Sequence, residues 1–174
     1  MTVKKLITVP DETLRKKSQN IEKVSDDEKK LVKDLFETMY YHKGIGLAAI
    51  QVGIPKKIIV LDVLQKDEKK NPLCFINPVI KNLSNKKSKY EEGCLSIPNT
   101  FIEIERPKAC IVEYIDIHGK KKSMECDGLL STCIQHEINH LDGKLIIDFL
   151  SKLKKDLIIK KLSKTKQNKD RILV

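Results

Sequence analysis

The chain contains no apolar run approaching the roughly 18 residues needed to span a bilayer, so no membrane role is expected of it. Its N-terminal apolar stretch, Leu6 to Val9, is broken at Pro10 and is too short for a secretory signal. A cytoplasmic location is therefore the expectation, ahead of an organelle matrix. Cysteine is sparse and unpaired: Cys74, Cys94, Cys110, Cys126 and Cys133 form no CxxC, and five is an odd number. That argues against a disulfide framework and for reduced, mostly buried thiols. No internal repeat and no Pro-, Ser- or Gly-rich linker divides the 174 residues, so one domain over 1–174 is expected. The most telling absence is downstream of His140, where the chain has neither Glu nor His.

That absence bears on His136-Glu137-Ile138-Asn139-His140, an HExxH motif. On a helix, residues four apart share a face, so two imidazoles can bind one metal ion. The Glu between them sits beside any water on that ion, placed as a general base. Two imidazoles leave a catalytic ion short of a third protein ligand. Zinc peptidases commonly supply it from a later Glu or His, which this chain lacks. The third ligand is then upstream, among His42, His118 and the cysteines, or is one of a few Asp residues. Two partly buried histidines on an amphipathic helix remain the alternative to a metal site.

Composition, at 40% apolar and 33% charged residues, is that of a folded globular protein. The formal charge of +10 is uneven: residues 152–174 hold nine Lys or Arg against Asp156 and Asp170, a net +7. This is either a solvated basic tail or a surface for a polyanion such as ribosomal RNA, without sequence-specific recognition of nucleic acid.

Ser25-Asp26-Asp27-Glu28 forms a capping box, followed by Leu31, Val32, Leu35, Phe36 and Met39 at helical spacing. A helix over 26–42 is predicted, ended by Gly44-Ile45-Gly46. Runs of β-branched residues predict strands over 57–61, 74–83, 101–104, 109–117 and 122–126, with a hairpin turn at His118-Gly119-Lys120. A second helix opens near Gly128, carries HExxH and stops near Gly143. Ser151 is an apt N-cap for a final amphipathic helix with Leu153, Leu157, Ile158 and Leu162 on its apolar face. The expected class is α+β: mostly antiparallel strands packed around a central HExxH helix, with an N-terminal helix and a basic C-terminal helix.

Two loops stand out besides the helix motif. Gly44-Ile45-Gly46-Leu47-Ala48-Ala49-Ile50-Gln51 matches a loose dinucleotide fingerprint, but a charged helix precedes it where that fingerprint requires a strand. Small residues there can instead bring backbone close to a substrate, with Gln51 as the one amide able to donate to a developing oxyanion. A tight turn with a buried edge strand is the plainer reading. In Glu91-Glu92-Gly93-Cys94-Leu95-Ser96-Ile97-Pro98, Gly93 frees the backbone and Pro98 stiffens the exit, which suits a thiolate approaching a metal.

Taken in order, Gly44–Gln51, Glu92–Ser96 and His136–His140 resemble the GxGLAAxQ, EGCLS and HExDH motifs of the peptide deformylases. Pro10-Asp11 with Leu14-Arg15, Gln135, and Leu141-Asp142-Gly143 extend the resemblance over nearly the whole chain. It implies a single catalytic domain that removes the formyl group from the formyl-methionine of nascent polypeptides. It also implies one divalent metal per chain on Cys94, His136 and His140, Fe²⁺ in the cell with Zn²⁺ or another divalent ion as the alternative. Glu137 would move the proton, and Gln51 with the backbone of Leu95 would steady the formyl oxygen. Ile45 and Gly46 would pair with the peptide, and Glu92, Gly93, Arg106, Leu129, Thr132 and Cys133 would form the substrate pocket. The basic C-terminal helix is expected to dock near the ribosomal exit. One letter departs: Asn139 stands where the family motif has Asp.

Overall fold

In the computed structural model, which describes residues 2–63 and 70–171, with side chains as far as 164, the described residues fold as three α-helices and seven strands joined by turns and short 3₁₀ helices. Helix α1 (Asp26–Tyr41) starts where the capping box predicts: Asp27 N–H donates to Ser25 Oγ, and Ser25 N–H donates to Glu28 Oε2. Its spacing buries Leu31, Val32, Leu35 and Met39 along one face.

Strands β1 (Gly46–Ala48), β2 (Ile58–Leu61), β3 (Leu73–Leu83), β6 (Ala109–Ile115) and β7 (Lys121–Asp127) form one antiparallel sheet in the order β1-β2-β3-β6-β7. Strands β4 (Lys87–Cys94) and β5 (Ile97–Pro107) form a separate antiparallel hairpin. The β6–β7 turn runs through Gly119, whose φ of 80° suits glycine, while Asp116 Oδ1 accepts from the His118 and Lys120 N–H groups.

At β2 the sheet is covered on both sides. Ile58 and Val60 pack with α1 and Leu47, while Ile59 and Leu61 pack with helix α2 (Gly128–Leu141) through Ile134 and Leu141. Alternate side chains of one strand thus enter two different cores, and Ile58-Ile59-Val60-Leu61 is apolar throughout because neither face meets water. Helix α2 is held between this sheet and the β4–β5 hairpin.

Helix α3 (Lys152–Arg171) differs from its predicted face. Ile158, Ile159 and Leu162 pack against Ile97, Ile102 and the 3₁₀ turn Ile146–Phe149. Leu153 and Leu157 are exposed at 73% and 59%. The sequence contains two overlapping apolar stripes, and periodicity alone does not say which one finds a partner. Strand β4 was not predicted at all. Its alternation of Lys87, Lys89 and Glu91 with Ser88, Tyr90 and Glu92 is a half-buried pattern built almost without aliphatic residues.

Candidate active site

The site is assembled where α2 passes between β1 and the end of the β4–β5 hairpin. A register shift between Gly93 and Cys94 breaks the hairpin ladder, so that Cys94 pairs with Ile97 across the two-residue connection Leu95-Ser96. The irregularity turns the Cys94 thiol toward α2. There Cys94 Sγ lies 3.2 Å from His140 Nε2, and one donor atom from each of Cys94, His136 and His140 falls within a 4.8 Å cluster. The three sequence candidates for one metal site are therefore brought together, Cys94 from 42 and 46 residues before the two histidines. His42 and His118 are not part of the cluster.

His136 Nδ1 is 2.8 Å from Glu92 Oε2, which leaves Nε2 facing the cluster. Glu92 in turn receives Arg106 Nε at 2.6 Å and Nη2 at 3.0 Å. Arg106 Nη1 donates to Asn139 Oδ1 at 2.8 Å. Asn139 thus ties the segment between the two histidines to β5 through Arg106, and does so as a neutral acceptor. Among the described residues Glu92 is the carboxylate that pairs directly with the Arg106 guanidinium. Burial pushes the Glu92 carboxyl up, but the bonds from His136 and Arg106 outweigh it and hold it below the ordinary range.

Glu137 is 4% exposed, and its Oε2 has no hydrogen-bond partner. Burial, only partly offset by His136, raises its carboxyl to about 7. Gly46 makes this position possible: a Cβ there would meet Glu137 Oε1 at 2.5 Å and Leu61 Cδ2 at 2.8 Å. Burial alone would lower His136, but Cys94 and Glu92 outweigh it and raise it to about 10. His140 moves the other way, well below its ordinary value, through burial and the neighbouring positive charges of His136 and Arg106.

Gln51 sits in the 3₁₀ turn Ala49–Val52 that follows β1. Its Oε1 accepts from Ala48 N–H at 2.8 Å, which fixes the amide so that Nε2 points to Ser96 Oγ at 3.1 Å and Cys94 Sγ at 3.6 Å. Gln135 anchors α2 from behind, donating to the Pro107 carbonyl at 2.9 Å and to Ser131.

A cavity of about 520 Å³ opens beside these groups. Ile45, Gly46, Glu92, Gly93, Leu95, Leu129, Thr132 and Cys133, all proposed from sequence, line it. Arg106 does not appear in that lining: its guanidinium is behind the wall, held by Glu92 and Asn139 and capped by the Phe149 ring 4.9 Å away. Sequence reasoning missed Phe101, 68% exposed at the cavity rim and lying over Gly93. It also missed Ser96, fully buried and bonded to Gln51. The sequence signal for Ser96 was its place as the last letter of the Glu92–Ser96 motif, to which no role was given.

A thiol and two imidazoles converging on one point, beside a buried carboxylate, are the donor set of a borderline-soft divalent ion. The family model for polypeptide deformylase matches residues 3–156. The chain belongs to the polypeptide deformylase family. Peptide deformylase of Pelagibacter ubique is 57% identical over 97% of this chain and 98% of its own length. The Rhizobium meliloti peptide deformylase is 52% identical, with 94% of each chain covered. Among solved structures, the Ehrlichia chaffeensis peptide deformylase in complex with actinonin superposes with a TM-score of 0.91. It shares 43% identity over 95% of this chain and 98% of that one. The deformylases therefore share this chain's mixed fold of helices and antiparallel sheet.

Proposed function

We propose that the chain is a metal-dependent amidohydrolase that removes the N-formyl group from the N-terminal methionine of nascent proteins and releases formate. The observation that carries the reading is Glu137, buried and unpaired on one oxygen, beside the Cys94–His136–His140 cluster in a chain of the deformylase family. Cys94 Sγ, His136 Nε2 and His140 Nε2 would hold one divalent ion, which supplies Lewis-acid polarisation of the formyl carbonyl and activation of water. A thiolate with two imidazoles suits Fe²⁺ or Zn²⁺, and we assign Fe²⁺ in the cell. His136 would bind the ion as a neutral imidazole, giving up the proton that Cys94 and Glu92 favour on it.

The remaining steps belong to the chain's own groups. Glu137 takes the proton of the attacking water and delivers it to the departing amine, and a carboxyl raised to about 7 suits both halves of that transfer. Gln51 Nε2, held by the Ala48 bond, and the backbone N–H of Leu95 donate to the developing oxyanion. The backbone of Ile45 and Gly46 aligns the extended peptide. Gly93, Leu129, Thr132 and Cys133 enclose its first side chain, with Glu92 on the same wall. Arg106 acts at one remove, by positioning Glu92 and through it His136. Residues 1–174 act as one catalytic unit in the bacterial cytoplasm, and the basic helix α3 docks it to the ribosome. No helix among the described residues is long and apolar enough to cross a membrane.

The test is anaerobic purification with metal analysis and a formate-release assay on formyl-Met peptides. Glu137→Ala is expected to retain the metal and lose turnover, whereas Cys94→Ala is expected to be largely metal-free. Turnover by Glu137→Ala at a rate near that of the unaltered enzyme would overturn its role.

A further inference from the structure

Thr132 lies on α2 one turn before His136, 2% exposed, in the wall of the cavity. Its Oγ1 is sealed from water and has no hydrogen-bond partner. A helical threonine ordinarily satisfies its hydroxyl on the carbonyl three or four residues back, and this one does not. Its neighbour Ser131 is engaged by Gln135 and by the Pro107 carbonyl, so polar groups on this turn are otherwise paired. An orphan hydroxyl carries an uncompensated desolvation penalty, and in a binding wall the missing partner can arrive with the ligand.

The surroundings specify that partner. Leu129 is apolar, and burial raises the Cys133 thiol to about 12, so it stays neutral. Glu92 and Glu137 border the same cavity, which disfavours an anionic group beside them. What fits is a neutral acceptor atom on an otherwise apolar side chain. A rotation of about 120° around χ1 carries Oγ1 into the place the methyl holds and the methyl into that of Hβ, on a residue that lines the cavity.

We propose that Thr132 is a specificity-determining residue: its hydroxyl donates to the sulfur end of the substrate's first side chain. It thereby distinguishes a thioether, and more strongly a sulfoxide, from a hydrocarbon chain of the same length. The inference rests on the deformylase reading. The experiment compares kcat/KM for formate release from three peptides that differ only in the first residue: formyl-Met, formyl-Met sulfoxide and formyl-norleucine. Thr132→Val should lower the Met-to-norleucine ratio by about 2- to 10-fold, the scale of one hydrogen bond, and lower the sulfoxide-to-norleucine ratio further. Thr132→Ser should keep both ratios near those of the wild type. Thr132→Ala should reproduce the shift without adding a methyl to the wall. An equal fall on all three substrates, or ratios unchanged within about twofold in both Thr132→Val and Thr132→Ala, would overturn it. No release from any substrate by the metal-loaded wild type would overturn the deformylase reading itself.

Discussion

Replacing Arg106 with Met tests whether the network behind the Cys94–His136–His140 cluster is a structural necessity. The Arg106 side chain is 6% exposed and the Glu92 side chain 5%, and two bonds of 2.6 and 3.0 Å join them. Met fills much of the same volume but leaves Glu92 as a buried carboxylate with only His136 beside it. Removing one member of a buried ion pair costs about 3–5 kcal/mol, because the survivor stays desolvated and uncompensated. For a chain of this size each kcal/mol shifts the melting midpoint by about 2–4 °C, so a fall of roughly 6–20 °C is expected. The double variant Glu92→Gln with Arg106→Met removes both charges and should recover part of the loss, giving a coupling on the order of 1–3 kcal/mol. Asn139→Leu removes one charge-assisted acceptor from Arg106 and should cost less, about 1.5–3 kcal/mol. Calorimetry and urea titration of metal-free protein supply these numbers. Metal competition assays add a second readout, with affinity reduced about 10-fold in Arg106→Met as His136 loses its fixed partner. A midpoint for Arg106→Met within about 2 °C of wild type, or a double variant no better than the sum of the singles, would refute the reasoning.

Gly46→Ala places a methyl where Glu137 Oε1 and Leu61 Cδ2 already stand, at 2.5 and 2.8 Å. We expect kcat to fall at least about 10-fold with metal content near wild type, since an ångström of misplacement weakens a general base more than it disturbs the ligands. Activity near that of wild type would show that the carboxylate has room to move. Acid stability supplies a third expectation, through Asp148. Burial pushes its carboxyl up, but bonds from Arg15, Lys155 and the Leu145 N–H outweigh this and hold it at about 2, below the ordinary 3.8. A depressed carboxylate stabilises the fold above the unfolded value and loses that contribution as pH falls through the folded one. Because the carboxyl is partly exposed and its ion pairs are screened, Asp148→Asn should be less stable than wild type by only about 0.5–1 kcal/mol at neutral pH, and the gap should close between about pH 4 and pH 2. Urea unfolding across that range reads the difference, and a gap that persists undiminished at the acid end would contradict it.

What could be read from the sequence divides along a physical line. Glu137 and the two histidines were legible because helical periodicity converts a spacing of four into a shared face. Cys94 was legible as a candidate from its Gly–Pro setting, and its assignment as a ligand needed the family motifs. The α1 capping box and the β2 run, buried on both faces, were likewise local patterns that report directly on local geometry. Strand β4 was not legible, because a polar ribbon becomes a strand only when β5 pairs with it from Ile97 to Pro107. The burial of Leu157 was misread for the same reason: which of two stripes on α3 is covered depends on where Ile97 and Ile102 lie, and that is set far away in the chain. Asn139 joins both cases. As a letter it only departed from the family motif, since a sequence does not show that its partner is Arg106, 33 residues away on another element. Given that partner, an uncharged acceptor is sufficient: Glu92 already neutralises the guanidinium through two bonds, and Asn139 need only fix the third nitrogen. A second carboxylate there would add a charge on the helix segment between His136 and His140, where Glu92 and Glu137 already supply two. The amide therefore keeps the bond that orients Arg106 while leaving the negative charge around the two histidines lower than an Asp would make it.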